Sequence, residues 1–255
     1  MERFTATFRF YEELNDFLPK ARRKIAFSHS FKGGPSIKHV IESLHVPHTE
    51  VDLIIVNRVS KGFDYALKDG DHVSVYPVFE SFDISPIVKL RAEPLRKTAF
   101  ILDVHLGKLV RLLRMMGFDC LYDPTLDDDE IIDLALSQHR IILTRDRLLL
   151  HRKRITHGYC IRSQRSINQA AEILIRFQLR GRVNPFTRCL SCNGILNRVD
   201  KEQIVSMLEP KTRLYFNRFA QCVNCRKIYW KGSHADGMNA RLMDILKNTK
   251  RRNRS

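Results

Sequence analysis

Residues 125–146, "TLDDDEIIDLALSQHRIILTRD", join an acidic helix start, "DDEIIDLALSQ", to an apolar strand, "RIILTRD", and the central chain repeats that alternation on both sides. Before it lie the strand "AFILD", the helix "HLGKLVRLLRMMG" and the strand "FDCLYD". Leu106, Leu109, Val110 and Leu113 form the buried stripe of that helix, and Gly117 ends it. After it come a short helical "RLLLHRK", the strand "HGYCIRS" and the helix "SINQAAEILIRFQL". Ser166 followed by Gln169 reads as a capping box for that last helix. Strands alternating with helices predict an α/β domain over residues 98–180, with a parallel sheet covered on both faces.

The acids of this stretch pose a question of charge. The chain has 255 residues, 44 Lys+Arg against 28 Asp+Glu and a net charge of +16, yet Asp119 to Asp133 contains seven acids and neither Lys nor Arg. In a parallel sheet the strand ends meet along one carboxyl edge, where open α/β folds put their sites. Asp103, Asp123 and Asp146 end three strands, and Asp127 to Glu130 opens a helix on the same edge. Two carboxylates about 5 Å apart repel by about 3 kcal/mol at an effective dielectric of about 20, so a cluster of them calls for a cation. Oxygen-only ligands select Mg²⁺ or Mn²⁺. Asp103, the Asp128 region and Asp146 are the candidate ligands. A single Asp at a helix start is also an excellent N-cap, and Asp119, Asp123 and Asp133 read as solvated surface charges.

Residues 1–83 form a separate module. Strand-like "RFTATFRFY" and "KIAFSHSF" precede a helix with Ile37, Val40, Ile41 and Leu44 on one face, and "VDLIIVN" and "DGDHVSVYPV" follow. The β-β-α-β-β order resembles the β-grasp sulfur carriers related to ubiquitin. Such carriers end in a free Gly-Gly, whereas Gly33 and Gly34 are internal here, so docking to a protein partner is the better expectation. Residues 84–97, with two prolines and four basic residues, read as a linker.

The last third is the basic part: net charge is +2 over residues 1–97, +3 over 98–180 and +11 over 181–255. Cys189-x-x-Cys192 and Cys222-x-x-Cys225, 29 residues apart, have the spacing of a tetrahedral structural Zn²⁺ site, which predicts a zinc ribbon over 181–235. Basic and aromatic residues interleave around it, among them Tyr215, Phe216, Phe219, Tyr229 and Trp230, a mixture that suits RNA. A basic C-terminal tail is expected over 236–255. On the first helix of the α/β domain, His105, Lys108, Arg111 and Arg114 form a polar stripe able to track phosphates, and Arg145 and Arg162 lie near the sheet edge. The chain start lacks a signal-peptide pattern, and no apolar run is long enough for a membrane span, so a cytoplasmic protein with no membrane partner is expected.

The stretches "LDVHLGKLVRLLRMMGFD", "LDDDEIIDLALSQHRIILTRDR", "PFTRCLSCNG" and "CVNCRKIYWKGSH" resemble the Mut-seven C-terminal RNase family, a branch of the PIN-like nucleases. The β-grasp module in front is similar to the ubiquitin-like domain that accompanies that family. The resemblance implies a metal-dependent ribonuclease acting on RNA. Asp103 matches the first-strand acid, Asp128 and Asp129 the helix-start acids and Asp146 the "TRD" acid. PIN-like enzymes often carry a further acid after a later strand; "CIRSQRS" offers Ser163 and Gln164 instead. A noncatalytic RNA-binding or ribosome-associated adaptor is the alternative.

Overall fold

A computed structural model describes residues 3–77 and 98–252. The expected linker over 84–97 and the end of the expected tail lie outside the described residues. The described chain falls into two compact units, one of residues 3–77 with Asp146–Cys160, the other of residues 98–145 with 161–252.

In the first unit, β1 (Arg3–Phe10), β2 (Phe27–Lys32), α1 (Ile37–Ser43), β3 (Val51–Val56), β4 (Val59–Ser60) and β5 (His72–Pro77) build the β-grasp. The sheet order is β2-β1-β5-β3-β4. β1 and β5 run parallel in the middle, with Phe8 opposite Val73, while β1·β2 and β3·β5 are antiparallel. Strand alternation turns Phe8, Phe10, Ile54 and Val75 inward against Ile37, Val40 and Ile41 of α1, all buried. Ser36 caps α1 by accepting from the His39 N–H.

From Ala99 the chain runs through β6 (Ala99–Leu102), α2 (Gly107–Met115), β7 (Asp119–Leu121), α3 (Asp128–Ser137), β8 (Ile141–Thr144), α4 (Arg147–Leu150), β9 (Gly158–Cys160) and α5 (Ser166–Arg176). Within the second unit β6 lies between β7 and β8 and is parallel to both, with Phe100 opposite Cys120 on one side and Ile141 on the other. Phe100, Ile101, Leu102, Ile142 and Leu143 are wholly buried, as a sheet covered on both faces requires. The Leu106, Leu109, Val110 and Leu113 stripe is buried as expected. Gly117 does more than end α2. Its φ of 92° is left-handed, and a Cβ there would strike the Asn184 carbonyl, whose own N–H bonds to Met116. The expected capping box at Ser166 is not formed: Arg165 is the N-cap without a side-chain bond, and the Gln169 amide donates to the Ser163 carbonyl instead.

The C-terminal part belongs to the same compact unit. β10 (Leu196–Val199), α6 (Lys201–Ile204), α7 (Pro210–Tyr215), β11 (Phe219–Cys222) and β12 (Ile228–Trp230) give a three-stranded antiparallel ribbon in the order β10-β11-β12. Ile204, Leu208 and Phe219 are its small core, with Phe216 and Ile228 packed on them. The expected basic tail is instead largely helix α8 (Ser233–Arg252). It packs on α5, burying Ile245 and setting the Asn248 side-chain amide to donate to Asn168 Oδ1 at 3.3 Å. Apolar residues placed among the lysines and arginines explain the difference, since a solvated tail would leave Ile245 in water.

Candidate metal centre and carboxylate edge

The four cysteines converge. Among the described residues, theirs is the group of three or more candidate ligands whose donor atoms all lie within 4.8 Å of one another. Two tight turns bring them together. Asn193 donates to the Cys189 carbonyl and Arg226 to the Cys222 carbonyl, and both residues after the second cysteine of each pair have left-handed backbone. The Sγ atoms of Cys189 and Cys225 are 3.5 Å apart, those of Cys192 and Cys222 3.4 Å. The Tyr229 hydroxyl lies 3.1 Å from Cys189 Sγ while its oxygen accepts from the Leu190 N–H. Burial opposes ionisation of Cys189, but the Tyr229 hydroxyl and nearby backbone groups bring it down to about 6. Burial and the neighbouring thiols push Cys192 up to about 12. Four thiols at this spacing therefore share negative charge poorly, and a bound cation would relieve them.

Two groups clamp this cluster to the sheet. Arg114 is 4% exposed; its Nε and Nη2 donate to the Cys120 carbonyl, and Nη1 donates to Leu190 and Ser191 in the first cysteine turn. The expectation that Arg114 meets RNA is therefore corrected: its polar stripe drifts round the helix until this position faces protein carbonyls. Asp119, expected to be a solvated charge, is half-buried and bonds Arg140, Arg188 and Asn193. Burial works against its ionisation, but those partners hold its carboxyl below the usual range.

The other acids find separate local roles. Asp127 is the N-cap of α3 in a complete capping box with Glu130, and the Asp123 carboxylate turns back onto Thr125. Asp128, half-buried, and Asp129, exposed, stand in the first turn of α3. Asp103 directly follows β6, is 5% exposed and accepts a 2.6 Å bond from the Thr144 hydroxyl at the end of β8. Asp103, Asp128 and Asp129 are not gathered at the spacing the thiols show. Asp146 belongs to the other unit, where its carboxylate caps α4 by accepting from the Leu148 N–H.

Immediately after Asp103 a cleft opens, about 1190 Å³ in volume and walled by α2, the turn into α5, and α8. Lys108, Arg111, Arg145, Arg165 and Lys247 line it with His105 and Tyr122, against a single carboxylate, Asp244. Gly107 lies close under Tyr122: a Cβ there would come within 2.9 Å of the Tyr122 hydroxyl and push that ring aside. Of the four arginines expected to hold RNA, Arg111 and Arg145 line the cleft; Arg162 is half-buried outside its lining. Sequence reasoning missed Arg165 and Lys247, since only the packing of α8 on α5 brings them to one wall. It also missed Glu172, a buried acid of α5 whose two oxygens accept from the Arg162 and Ser163 N–H groups, at the turn where no acid stands in sequence.

A parallel α/β unit with a basic cleft at its carboxyl edge, an appended four-cysteine ribbon and a ubiquitin-like module define a multidomain α/β protein. The Mut7-C RNase domain model matches residues 98–242, and the Mut7-C ubiquitin model matches residues 3–83. The chain belongs to the Mut7-C RNase domain family. No curated protein and no solved structure matches it. The family match runs unbroken through the α/β unit and the ribbon, in accord with their forming one compact unit. No helix among the described residues is long and apolar enough to cross a membrane.

Proposed function

We propose that the protein is a divalent-metal-dependent ribonuclease that hydrolyses RNA phosphodiester bonds. The observation that carries this reading is the juxtaposition of a buried strand-end acid, Asp103, with a cleft that begins at the next residue and presents five cations against one acid. Asp103, Asp128, Asp129 and Asp146 would hold Mg²⁺ or Mn²⁺. The donor set fits in kind, being all carboxylate oxygen, and the Thr144 hydroxyl on one Asp103 oxygen fixes the direction of the other. When bound, such an ion lowers the pKa of a coordinated water and offsets charge developing on the phosphate. Arg111 and Arg145 receive phosphate oxygens, and the remaining cleft cations hold the backbone on either side.

The cysteine cluster would hold structural Zn²⁺. Tetrahedral Zn–S bonds of about 2.3 Å set neighbouring sulfurs about 3.8 Å apart, close to the spacing of the paired Sγ atoms. Unpaired thiols in both Cys-x-x-Cys motifs fit a reducing, cytoplasmic setting. Tyr215 and Trp230, 71% and 41% exposed, are the ribbon aromatics free to stack on bases, whereas Phe219 is core.

Purified wild type, Asp103→Asn and Asp146→Asn should be compared for Mn²⁺-dependent cleavage of single-stranded RNA. Each substitution is expected to lower the rate on the order of 10²-fold or more. Unchanged cleavage by both variants in a contaminant-free preparation takes Asp103 and Asp146 out of the site. A noncatalytic RNA-binding adaptor is favoured by one observation, that the Asp146 and Asp127 carboxylates serve as helix caps. It predicts RNA binding with no metal-dependent cleavage in any of the three proteins.

A further inference from the structure

The family match and the packing disagree about residues 146–160. In sequence they fall inside the RNase match at 98–242, yet they pack into one compact unit with the ubiquitin-like module. We propose that the ubiquitin-like module is an internal positioning element for this segment, and through it for Asp146; the inference rests on the nuclease reading above.

Three contacts within that unit hold the segment at its start, middle and end. At the start, the Arg147 guanidinium lies over the Phe17 ring, 5.0 Å from its centre. In the middle, His48 Nε2 meets the Ile155 carbonyl at 2.9 Å, while its Nδ1 is held at 2.7 Å by Glu42 at the end of α1. At the end, the Glu50 carboxylate accepts a 2.6 Å bond from the Cys160 N–H. Glu50 is 0% exposed and His48 6%. Both come from one short turn, His48–Glu50, which leads into β3.

The chemistry of these contacts is informative. Two of the three address backbone groups of the segment, so they fix its path whatever its side chains are. A buried carboxylate and a buried imidazole are costly where no partner awaits them, and a module that served only as a spacer or solubility aid would have no use for them here. Leu149, Leu150, Ile155 and Tyr159 of the segment are buried as well. Asp146 is the first residue of the held stretch, and its carboxylate is tied to the Leu148 N–H inside α4, so the direction of that acid follows α4. A ligand displaced by about 1 Å can cost a reaction about 10²-fold. The module therefore acts in cis on the acid farthest along the chain from Asp103.

The test uses the full-length protein with Glu50→Ala, Glu50→Gln and Arg147→Ala. Glu50→Gln keeps an oxygen that can accept from Cys160; Arg147→Ala alters an exposed residue and guards against loss of folding in Glu50→Ala. Hydrogen–deuterium exchange over 147–160 and over β6 to β8 is measured beside kcat and KM for RNA cleavage. In Glu50→Ala and Arg147→Ala, exchange should rise over 147–160 with β6 to β8 still protected. Over the same variants kcat should fall by about tenfold or more with KM within about twofold, and Glu50→Gln should restore most of it. Unchanged exchange in both alanine variants, or raised exchange at unchanged kcat, overturns the proposal. No cleavage by wild type whose 147–160 amides are protected brings down the nuclease reading alone and leaves the held segment standing.

Discussion

The thiol cluster and the carboxylate edge both invite a metal, and they are built in opposite ways. The cysteines sit in two Cys-x-x-Cys turns, closed by backbone bonds, that bring the four sulfurs within 4.8 Å of one another. The acids instead come from strand ends and a helix start, and most have structural partners: Asp119 binds two arginines, Asp127 caps α3, Asp123 holds Thr125 and Asp103 receives Thr144. A closed site made of local turns can serve stability. An open edge made of distant groups leaves room for a substrate.

That contrast can be broken most forcefully at the ribbon. With Zn²⁺ held as proposed, Cys222→Ser or chelation should unfold β10 to β12, because apparent zinc-binding energies of about 10 to 16 kcal/mol are folding energy in so small a core. Metal content and thermal unfolding followed together would check this, and a ribbon that keeps its fold after metal loss would break the comparison. At the carboxylate edge the same chelation should abolish cleavage without unfolding the sheet.

Arg114 gives the next largest effect. Arg114→Met leaves the Cys120, Leu190 and Ser191 carbonyls without their donors and should cost about 3 kcal/mol, read from the denaturation midpoint. Affinity for RNA per folded molecule should not change, which separates it from Arg111.

The unit that carries Asp146 should respond to acid. Burial, with Lys38 in support and against the Ile155 carbonyl and Glu42, holds His48 below its usual value of 6.5. The unfolded chain then binds more protons, so this contribution to stability is complete above about pH 6.5 and is lost as the pH falls through the lower folded value. Exchange rates of the 147–160 amides measured from pH 7.5 down to 5 would show it as earlier opening, and His48→Gln should flatten the trend.

The smallest effect is expected at the cleft rim. Arg111→Ala should weaken single-stranded RNA binding a few-fold and reduce the slope of log affinity against log salt by about 0.7, one phosphate's share. Fluorescence anisotropy over a salt series resolves that change, and an unaltered slope would take Arg111 off the RNA path.

Some features were legible because they are written locally. The Leu106, Leu109, Val110 and Leu113 stripe, the alternating strands of the β-grasp and the paired cysteines each repeat at the period of a helix, a strand or a turn. Arg114 misled for the same reason: three-residue spacing drifts round a 3.6-residue helix, and where the drift ends depends on neighbours the pattern does not contain. Ser166 and Gln169 matched a capping box in spacing alone, while the Ser163 carbonyl offered Gln169 another partner.

By itself, then, the sequence determined the elements of the β-grasp and of the α/β unit, which cysteines can share an ion and that the chain is an RNase-family protein with a ubiquitin-like module, all of them consequences of short-range periodicity and motif spacing. Only the tertiary structure decided that α8 closes a basic cleft, that Arg114 and Asp119 fasten the ribbon, and that Asp146–Cys160 packs with the β-grasp. Each of those joins groups tens of residues apart or more, and such pairings follow from which surfaces bury one another, which no local period records.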